Sequence, residues 1–283
     1  MNVIRAKTAG FCMGVSLALK KLDTALLEAA PRANRVCTLG PIIHNPQVLE
    51  EYEAKGVVCA DDATQLLPGD HVLIRAHGLS SQEEDAVRAA AGNVVDATCP
   101  RVKKAQLAIG KATKDGAVLL LFGEANHPEV RGLVSYARGP AHVFGNLEEF
   151  ERLRLTKDPV FVLASQTTQD RRHFMEIKKM LCKRFERLTV LSTICDATRH
   201  RQKEARDIAS SVDVMVIVGG RQSGNTRRLA DIAALSGIEI FHVETPDELD
   251  PKRFTEKTRA GLTAGASTPK RLIDATELWL STL

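Results

Sequence analysis

The chain echoes itself three times around a cysteine. Cys12 ends the run Ala9-Gly10-Phe11-Cys12 after a short apolar stretch, and Cys99 lies in Asp96-Ala97-Thr98-Cys99-Pro100 after Val94-Val95. Cys195 lies in Ser192-Thr193-Ile194-Cys195-Asp196-Ala197-Thr198 after Val190-Leu191. A helical pattern follows each. Successive cysteines stand roughly 90 residues apart, the size of one small αβ unit, and self-similarity at such a period constrains a fold before local propensity does. A glycine turn comes about 30 residues after each cysteine: Gly40 to Pro46, Gly123 to Glu129 and Gly219 to Asn225. These turns deliver His44, His127 and Asn225 at matching positions. A third motif closes each unit: Ile74-Arg75-Ala76-His77-Gly78, Leu163-Ala164-Ser165-Gln166-Thr167-Thr168 and Thr263-Ala264-Gly265-Ala266-Ser267. Pro128, after His127, and Pro46, two residues after His44, suit a first helical turn.

Short apolar runs alternate with helical patterns throughout. Strands are expected at Val3-Ile4, Val36-Leu39, Val72-Ile74, Val94-Val95, Val118-Phe122, Val143-Phe144, Val160-Leu163, Val190-Leu191, Val214-Val218, Ile238-Val243 and Gly261-Thr263. Helical spacing covers Lys103–Thr113, His173–Phe185 and Arg199–Ser210 among others. Such alternation predicts an α/β fold with parallel sheets covered by helices. Ligands of these folds sit beyond the carboxyl ends of the strands, where the polar motifs of this chain lie. The repeat divides the chain at 12–97, 98–193 and 194–283, with the N-terminal strand 1–11 completing the third unit. Arranged about a pseudo-threefold axis, the units would bring three thiolates to one centre, ringed by His, Thr, Ser and Asn side chains.

Composition narrows the function. Lysine and arginine outnumber aspartate and glutamate by 39 to 35, a mild +4 that suits an anionic small ligand as well as a nucleic acid. Aromatic residues are only 4 % of the chain, too few for the stacking platforms of single-strand nucleic-acid binding, so no nucleic-acid partner is expected. The longest apolar run, Ala117 to Phe122, is far short of the roughly 20 residues of a membrane span, so no membrane partner is expected. No basic segment followed by an apolar stretch and a cleavage site opens the sequence, and a cytoplasmic location is expected. Six cysteines are too sparse for a disulfide scaffold and point instead to metal or chemistry.

Three converging thiolates need a cation. They suit a zinc ion with a histidine as fourth ligand, or a [4Fe–4S] cluster with one iron left open. The chain has no C-x-x-C pair, the usual local signature of structural zinc. His44, His77 and His127 can donate hydrogen bonds to an anion. Ser223, Asn225 and Ser267 stand at helix starts, where unpaired N–H groups and the dipole favour phosphate. Glu129, two residues after His127, can relay a proton where burial keeps it protonated, and Thr167 can pass that proton or orient the ligand. Cys37, Cys59 and Cys182 fall outside the repeat and read as small buried hydrophobes. His71, His142, His173, His200 and His242 read as surface or capping residues. Arg199-His200-Arg201 reads as a solvated helix face.

The segments AGFCMGV, GPIIHNPQV, IRAHG, DATCP, NHPEV, SQTT, TICDATRHRQ and TAGAS run in one order from Ala9 to Ser267. Together they closely resemble the 4-hydroxy-3-methylbut-2-enyl diphosphate reductases, terminal enzymes of the methylerythritol phosphate route to isoprenoids. The resemblance implies a trefoil of three αβ units around one [4Fe–4S] cluster per chain, held by Cys12, Cys99 and Cys195. It implies substrate contacts at His44, His77, His127, Thr167, Ser223, Asn225 and Ser267, with Glu129 as proton donor. The implied reaction removes the hydroxyl of the allylic diphosphate with two electrons and two protons, the substrate oxygen bound at the unique iron. The products would be isopentenyl and dimethylallyl diphosphate, and a ferredoxin or flavodoxin would supply the electrons.

Two departures stand out. Gly224 occupies the middle of Ser223-Gly224-Asn225, where the family often has a second serine, so one hydroxyl contact to diphosphate is absent and the backbone N–H of Gly224 is the candidate to serve instead. Asp196 follows Cys195 where many members carry tyrosine, a change expected to affect local packing. The competing readings are a non-redox binding protein with zinc or nothing at its centre and an RNA-binding protein. Metal analysis separates the first and salt-titrated RNA binding the second.

Overall fold

The computed structural model describes residues 1–32, 34–156 and 159–283. Among the described residues, twelve strands form three four-stranded sheets and ten α-helices accompany them, all numbered here in chain order. One sheet contains β1 (Asn2–Arg5), β10 (Val214–Val218), β11 (Glu239–Val243) and β12 (Arg259–Ala264). A second contains β2 (Val36–Leu39), β3 (Val57–Ala60), β4 (His71–Ile74) and β5 (Asn93–Asp96). The third contains β6 (Val118–Phe122), β7 (Ala141–Phe144), β8 (Phe161–Ser165) and β9 (Leu188–Val190).

All strand pairings are parallel, and the three sheets share one topology: β11-β10-β12-β1, β3-β2-β4-β5 and β7-β6-β8-β9. The second strand in each order leads into a glycine turn. The third leads into the closing polar motif, and the fourth into the cysteine. The repeat read in the sequence is therefore a repeat of strand positions.

Burial follows position in the sheet. The inner strands β2, β4, β8 and β10 are buried at every residue, and β6 and β12 at all but their first. The edge strands are half-exposed. A parallel strand covered on both faces needs a near-continuous apolar run, which is why Val-Met-Val-Ile-Val forms β10. Its side chains divide by parity. Val214, Val216 and Val218 pack with Leu272, Ile273 and Leu280 of α10 (Lys270–Ser281). Met215 and Ile217 pack with Ala205 and Ile208 of α8 (Asp196–Ala209) and Leu229 of α9 (Gly224–Ala234).

In the third sheet, Leu120, Phe122 and Leu163 meet Phe174, Ile177 and Leu181 of α7 (Arg171–Arg184). Its opposite face meets Ile109 of α4 (Pro100–Ala112) and Val130 and Leu133 of α5 (Pro128–Ser135). In the second sheet, Cys37, Leu39, Val72 and Ile74 pack with Val87 of α3 (Ser81–Ala90). The remaining helices are α1 (Met13–Ala29), α2 (Pro46–Ala54) and α6 (Leu147–Glu151).

The chain forms two compact units. One comprises Met1–Ser16, Ile43–Glu51 and Asp196–Leu283, and the other Leu17–Ile42 and Tyr52–Cys195. The first holds one sheet and the second holds two.

Several local expectations need correction. Strand β3 was not expected. It is a four-residue edge strand with Val58 and Cys59 exposed, so it lacks the buried run that marks its neighbours. Helices α4, α7 and α8 start two to three residues earlier than their apolar periodicity, because polar first turns are fixed otherwise. Pro100 begins α4, and the Asp170 side chain caps α7. Cys59 and Cys182 are exposed and not buried. His71 is buried in β4, its Nδ1 3.2 Å from Nδ2 of Asn93.

Candidate active site

The three repeat cysteines are held in the same way. Each follows the outer strand of its sheet and stands at the start of a helix: α1 after Cys12, α4 after Cys99 and α8 after Cys195. Each backbone N–H donates to the carbonyl two residues beyond the neighbouring inner strand. Cys12 donates to Ala266 (3.1 Å), Cys99 to Ala76 (2.9 Å) and Cys195 to Thr167 (2.9 Å). The glycine turns repeat as well. Gly40, Gly123 and Gly219 donate to the last carbonyl of the adjoining edge strand, at Ala60 (2.7 Å), Phe144 (2.9 Å) and Val243 (2.8 Å). All three cysteines are partly exposed, and none of the six is in a disulfide.

In the unit containing Asp196–Leu283, the donors expected to meet diphosphate share one neighbourhood. Ser267 Oγ donates to the His44 carbonyl (2.9 Å). A Cβ at Gly220 would lie 2.9 Å from that same carbonyl, so only glycine lets this turn approach so closely. Ser223 caps α9 by accepting from the Thr226 N–H (3.3 Å). Asn225, in the first turn of α9, is buried, and its Nδ2 has no hydrogen-bond partner among the described residues. A buried amide without a partner at a helix N-terminus is the electrostatic environment an anion satisfies.

The other unit holds a different kind of arrangement. Glu129, in the first turn of α5, is 1 % exposed. Its Oε1 accepts from the Thr167 N–H (2.6 Å), and its Oε2 lies 3.0 Å from the Thr167 hydroxyl. His127 caps α5, its Nδ1 accepting from the Glu129 N–H (3.1 Å). An acceptor Nδ1 leaves the ring proton of a neutral imidazole on Nε2. The His127 ring meets the His77 ring edge-on, with centroids 5.4 Å apart. Cys99, His77, His127, Glu129, Thr167 and Cys195 thus follow one continuous path of neighbouring loops.

Charge fixes the remaining loop geometry. Asp96 accepts from the Thr98 N–H (2.9 Å) just before Cys99. Burial pushes the Asp96 carboxyl up, but hydrogen bonds from Thr98 and the nearby Lys103 outweigh it and hold the group below the usual range. Outside the repeat, Cys37 is a core residue of the second sheet. Burial, and then the charge of Asp70, push its thiol up to about 11. Such a thiol is a poor ligand and a poor nucleophile at neutral pH.

Sequence reasoning missed two residues. Arg201, read as part of a solvated face, is 3 % exposed. Its guanidinium donates to the carbonyls of Ala264 (2.7 Å) and Gly10 (2.9 Å). Glu204, one turn along α8, accepts from the N–H groups of Lys7 (2.7 Å) and Thr8 (2.9 Å) and from the Thr8 hydroxyl (2.5 Å). Burial raises the Glu204 carboxyl, but the Thr8 and Lys7 bonds and the Arg201 charge carry it below its ordinary range.

Parallel sheets whose carboxyl ends present thiols, imidazoles, hydroxyls and a buried acid define an α/β enzyme. The LytB protein family profile matches residues 3–281, and the chain belongs to that family. A 4-hydroxy-3-methylbut-2-enyl diphosphate reductase of Desulfovibrio desulfuricans is 67 % identical over the full length of both chains. The reductase of the same name from Geobacter sulfurreducens is 46 % identical, covering 97 % of this chain and 95 % of its own. A solved (E)-4-hydroxy-3-methyl-but-2-enyl diphosphate reductase, titled the terminal enzyme of the non-mevalonate pathway, is 38 % identical. It superposes with a TM-score of 0.70 over 100 % of this chain and 99 % of that one. The Plasmodium falciparum reductase structure, at 24 % identity and TM-score 0.92 over 100 % of this chain and 87 % of that one, shares the fold.

Proposed function

We infer that the chain catalyses reductive dehydroxylation of 4-hydroxy-3-methylbut-2-enyl diphosphate to isopentenyl and dimethylallyl diphosphate. Two electrons and two protons enter. One proton leaves with the hydroxyl oxygen as water, and the other joins the allylic carbon chain. The observation that carries this reading is the Glu129–Thr167 pair, a buried acid bonded to a hydroxyl on the loop that anchors Cys195. Full-length identity to reductases of that name supports it.

Cys12, Cys99 and Cys195 would hold one [4Fe–4S] cluster. The donor set fits. Three reduced thiols stand on loops fixed by equivalent backbone bonds, and soft thiolates are the ligands such clusters take. When bound, the cluster supplies electrons and a Lewis-acidic iron.

The rest of the chemistry belongs to the chain. Ser223, Asn225, Ser267 and the first N–H groups of α9 hold the diphosphate. The N–H of Gly224 serves where a second serine hydroxyl is absent. His44, His77 and His127 donate to the ligand, with His127 presenting Nε2–H. The Thr167 hydroxyl donates to Glu129 Oε2 in this structure, and protonation of Glu129 reverses that bond, so that the acid donates to the Thr167 Oγ. Thr167 then turns its own hydrogen toward the substrate, so the pair delivers a proton without exposing the carboxyl to water.

The electron donor is a small carrier of ferredoxin or flavodoxin type. The six thiols, none in a disulfide, fit a reducing cytoplasm. Domain limits at 12–97, 98–193 and 194–283, with 1–11 completing the last, are supported by each segment's containing whole strands of one sheet.

The test is anaerobic turnover of the reconstituted chain with a strong one-electron reductant and the allylic diphosphate. Formation of the two isomeric products is expected. Bound diphosphate without dehydroxylation would refute the reading.

A further inference from the structure

The Cys12 loop differs from the other two cysteine loops in what holds it. The Cys99 loop is held at Asp96, whose carboxylate accepts from the Thr98 N–H and lies 3.5 Å from Lys103 Nζ, and whose carbonyl accepts from Lys21 Nζ (2.6 Å). The Cys195 loop closes through a hydroxyl pair, Thr193 with Ser165, the Thr193 Oγ1 accepting from the Ser165 N–H (2.8 Å) and donating to the Ser165 carbonyl (2.7 Å). The Cys12 loop is gripped by an acid and a base of one helix, α8. Glu204 receives three donors from Lys7 and Thr8, and buried Arg201 donates to Gly10 and to Ala264 at the end of β12. Both charges stand one turn apart on α8, whose first residue follows Cys195.

Gly10 takes φ +101°, a conformation that L side chains rarely adopt, and its carbonyl is one of the two that Arg201 holds. Charge-assisted bonds to backbone are the strong ones, and a buried guanidinium left without acceptors is costly. These contacts therefore resist local opening of residues 7–12 more than neutral turns would.

We propose that Arg201 and Glu204 are positioning residues that fix the Cys12 loop against α8 and so set the place of that thiol. The proposal rests on Cys12 being a ligand of the proposed cluster, but the loop restraint can be measured without the cluster. Neither residue touches the substrate; both act through the backbone of the Cys12 loop.

The experiment uses the full-length chain in two states. In the iron-free chain, alkylation of each cysteine by iodoacetamide is followed by peptide mass analysis in the wild type, Glu204→Ala, Glu204→Gln and Arg201→Met. Cys12 in Glu204→Ala is expected to react about tenfold faster than in the wild type, as when a charge-assisted bond no longer opposes local opening. Cys99 and Cys195 should keep their rates. Glu204→Gln retains an acceptor for Thr8 and should stay within about threefold of the wild type. Arg201→Met should behave as Glu204→Ala does; if it fails to fold, Glu204→Ala decides alone.

Unchanged Cys12 reactivity in a folded Glu204→Ala chain, or equal acceleration at all three cysteines, overturns the proposal. In the reconstituted chain, faster iron loss to a chelator from Glu204→Ala than from Glu204→Gln is expected, and equal loss would contradict the role. A wild-type chain that takes up no iron would refute the cluster reading, while the alkylation pattern would still decide the loop restraint.

Discussion

The two compact units carry opposite kinds of polar chemistry. In the unit with Ser223, Asn225 and Ser267, a buried amide nitrogen at a helix N-terminus lacks a partner among the described residues, and a glycine turn leaves room for close approach. In the other, Glu129, Thr167 and His127 bond one another through both carboxylate oxygens and a ring nitrogen. On the proposed reading, the unpartnered amide receives an anion, and the bonded acid, hydroxyl and imidazole hold and move a proton. The difference then teaches that binding and chemistry can be damaged separately.

The largest break would come from the three cysteines of the repeat. Cys12→Ser, Cys99→Ser and Cys195→Ser are each expected to abolish turnover and leave iron content well below that of the wild type, checked by anaerobic assay and iron analysis. Full iron and activity in any of them would remove that cysteine from the ligand set.

Next comes the proton side. Glu129→Gln should lower kcat by about 10²- to 10⁴-fold with little change in KM, because it removes an acid and spares the diphosphate contacts. The complementary change, Asn225→Ala, should raise KM by roughly tenfold with a smaller effect on kcat, as expected for one lost bond to a charged group. Steady-state kinetics on both variants sharpen the comparison. A KM effect from Glu129→Gln and a kcat effect from Asn225→Ala would reverse the assignment of roles.

Smaller effects concern the scaffold. Ile217→Ala on β10 should cost about 2–5 kcal/mol by denaturant unfolding, since the side chain is wholly buried between α8 and α9. Asp70 gives a pH dependence. The Arg35 guanidinium holds its carboxyl below the ordinary value of 3.8, with burial opposing. A depressed folded pKa stabilises above the unfolded pKa, so this contribution is full near neutrality and lost as pH falls below about 4. Acid unfolding of Asp70→Asn should therefore shift less between pH 6 and pH 3 than that of the wild type.

Much of this was legible in the sequence because it is local. Inner strands such as β6 and β10 are continuous apolar runs that fit where both faces are covered. The cysteine and glycine turns mark strand ends, where parallel sheets must break into loops. What stayed hidden depends on distant partners. Edge strand β3 has two exposed residues in four and no periodic signature. Arg201 sits in a run of charges that resembles a solvated face, yet it is buried and donates to carbonyls distant in the chain, those of Gly10 and Ala264. Cys59 and Cys182 look like the buried Cys37 in composition, yet an edge strand and an outward helix face expose them.

The most direct measurement is iron, acid-labile sulfide and zinc per chain in protein purified without oxygen. The account predicts about four irons with matching sulfide and no stoichiometric zinc, and about the same count after reconstitution. Zinc alone, with no iron taken up under anaerobic reconstitution, would contradict it.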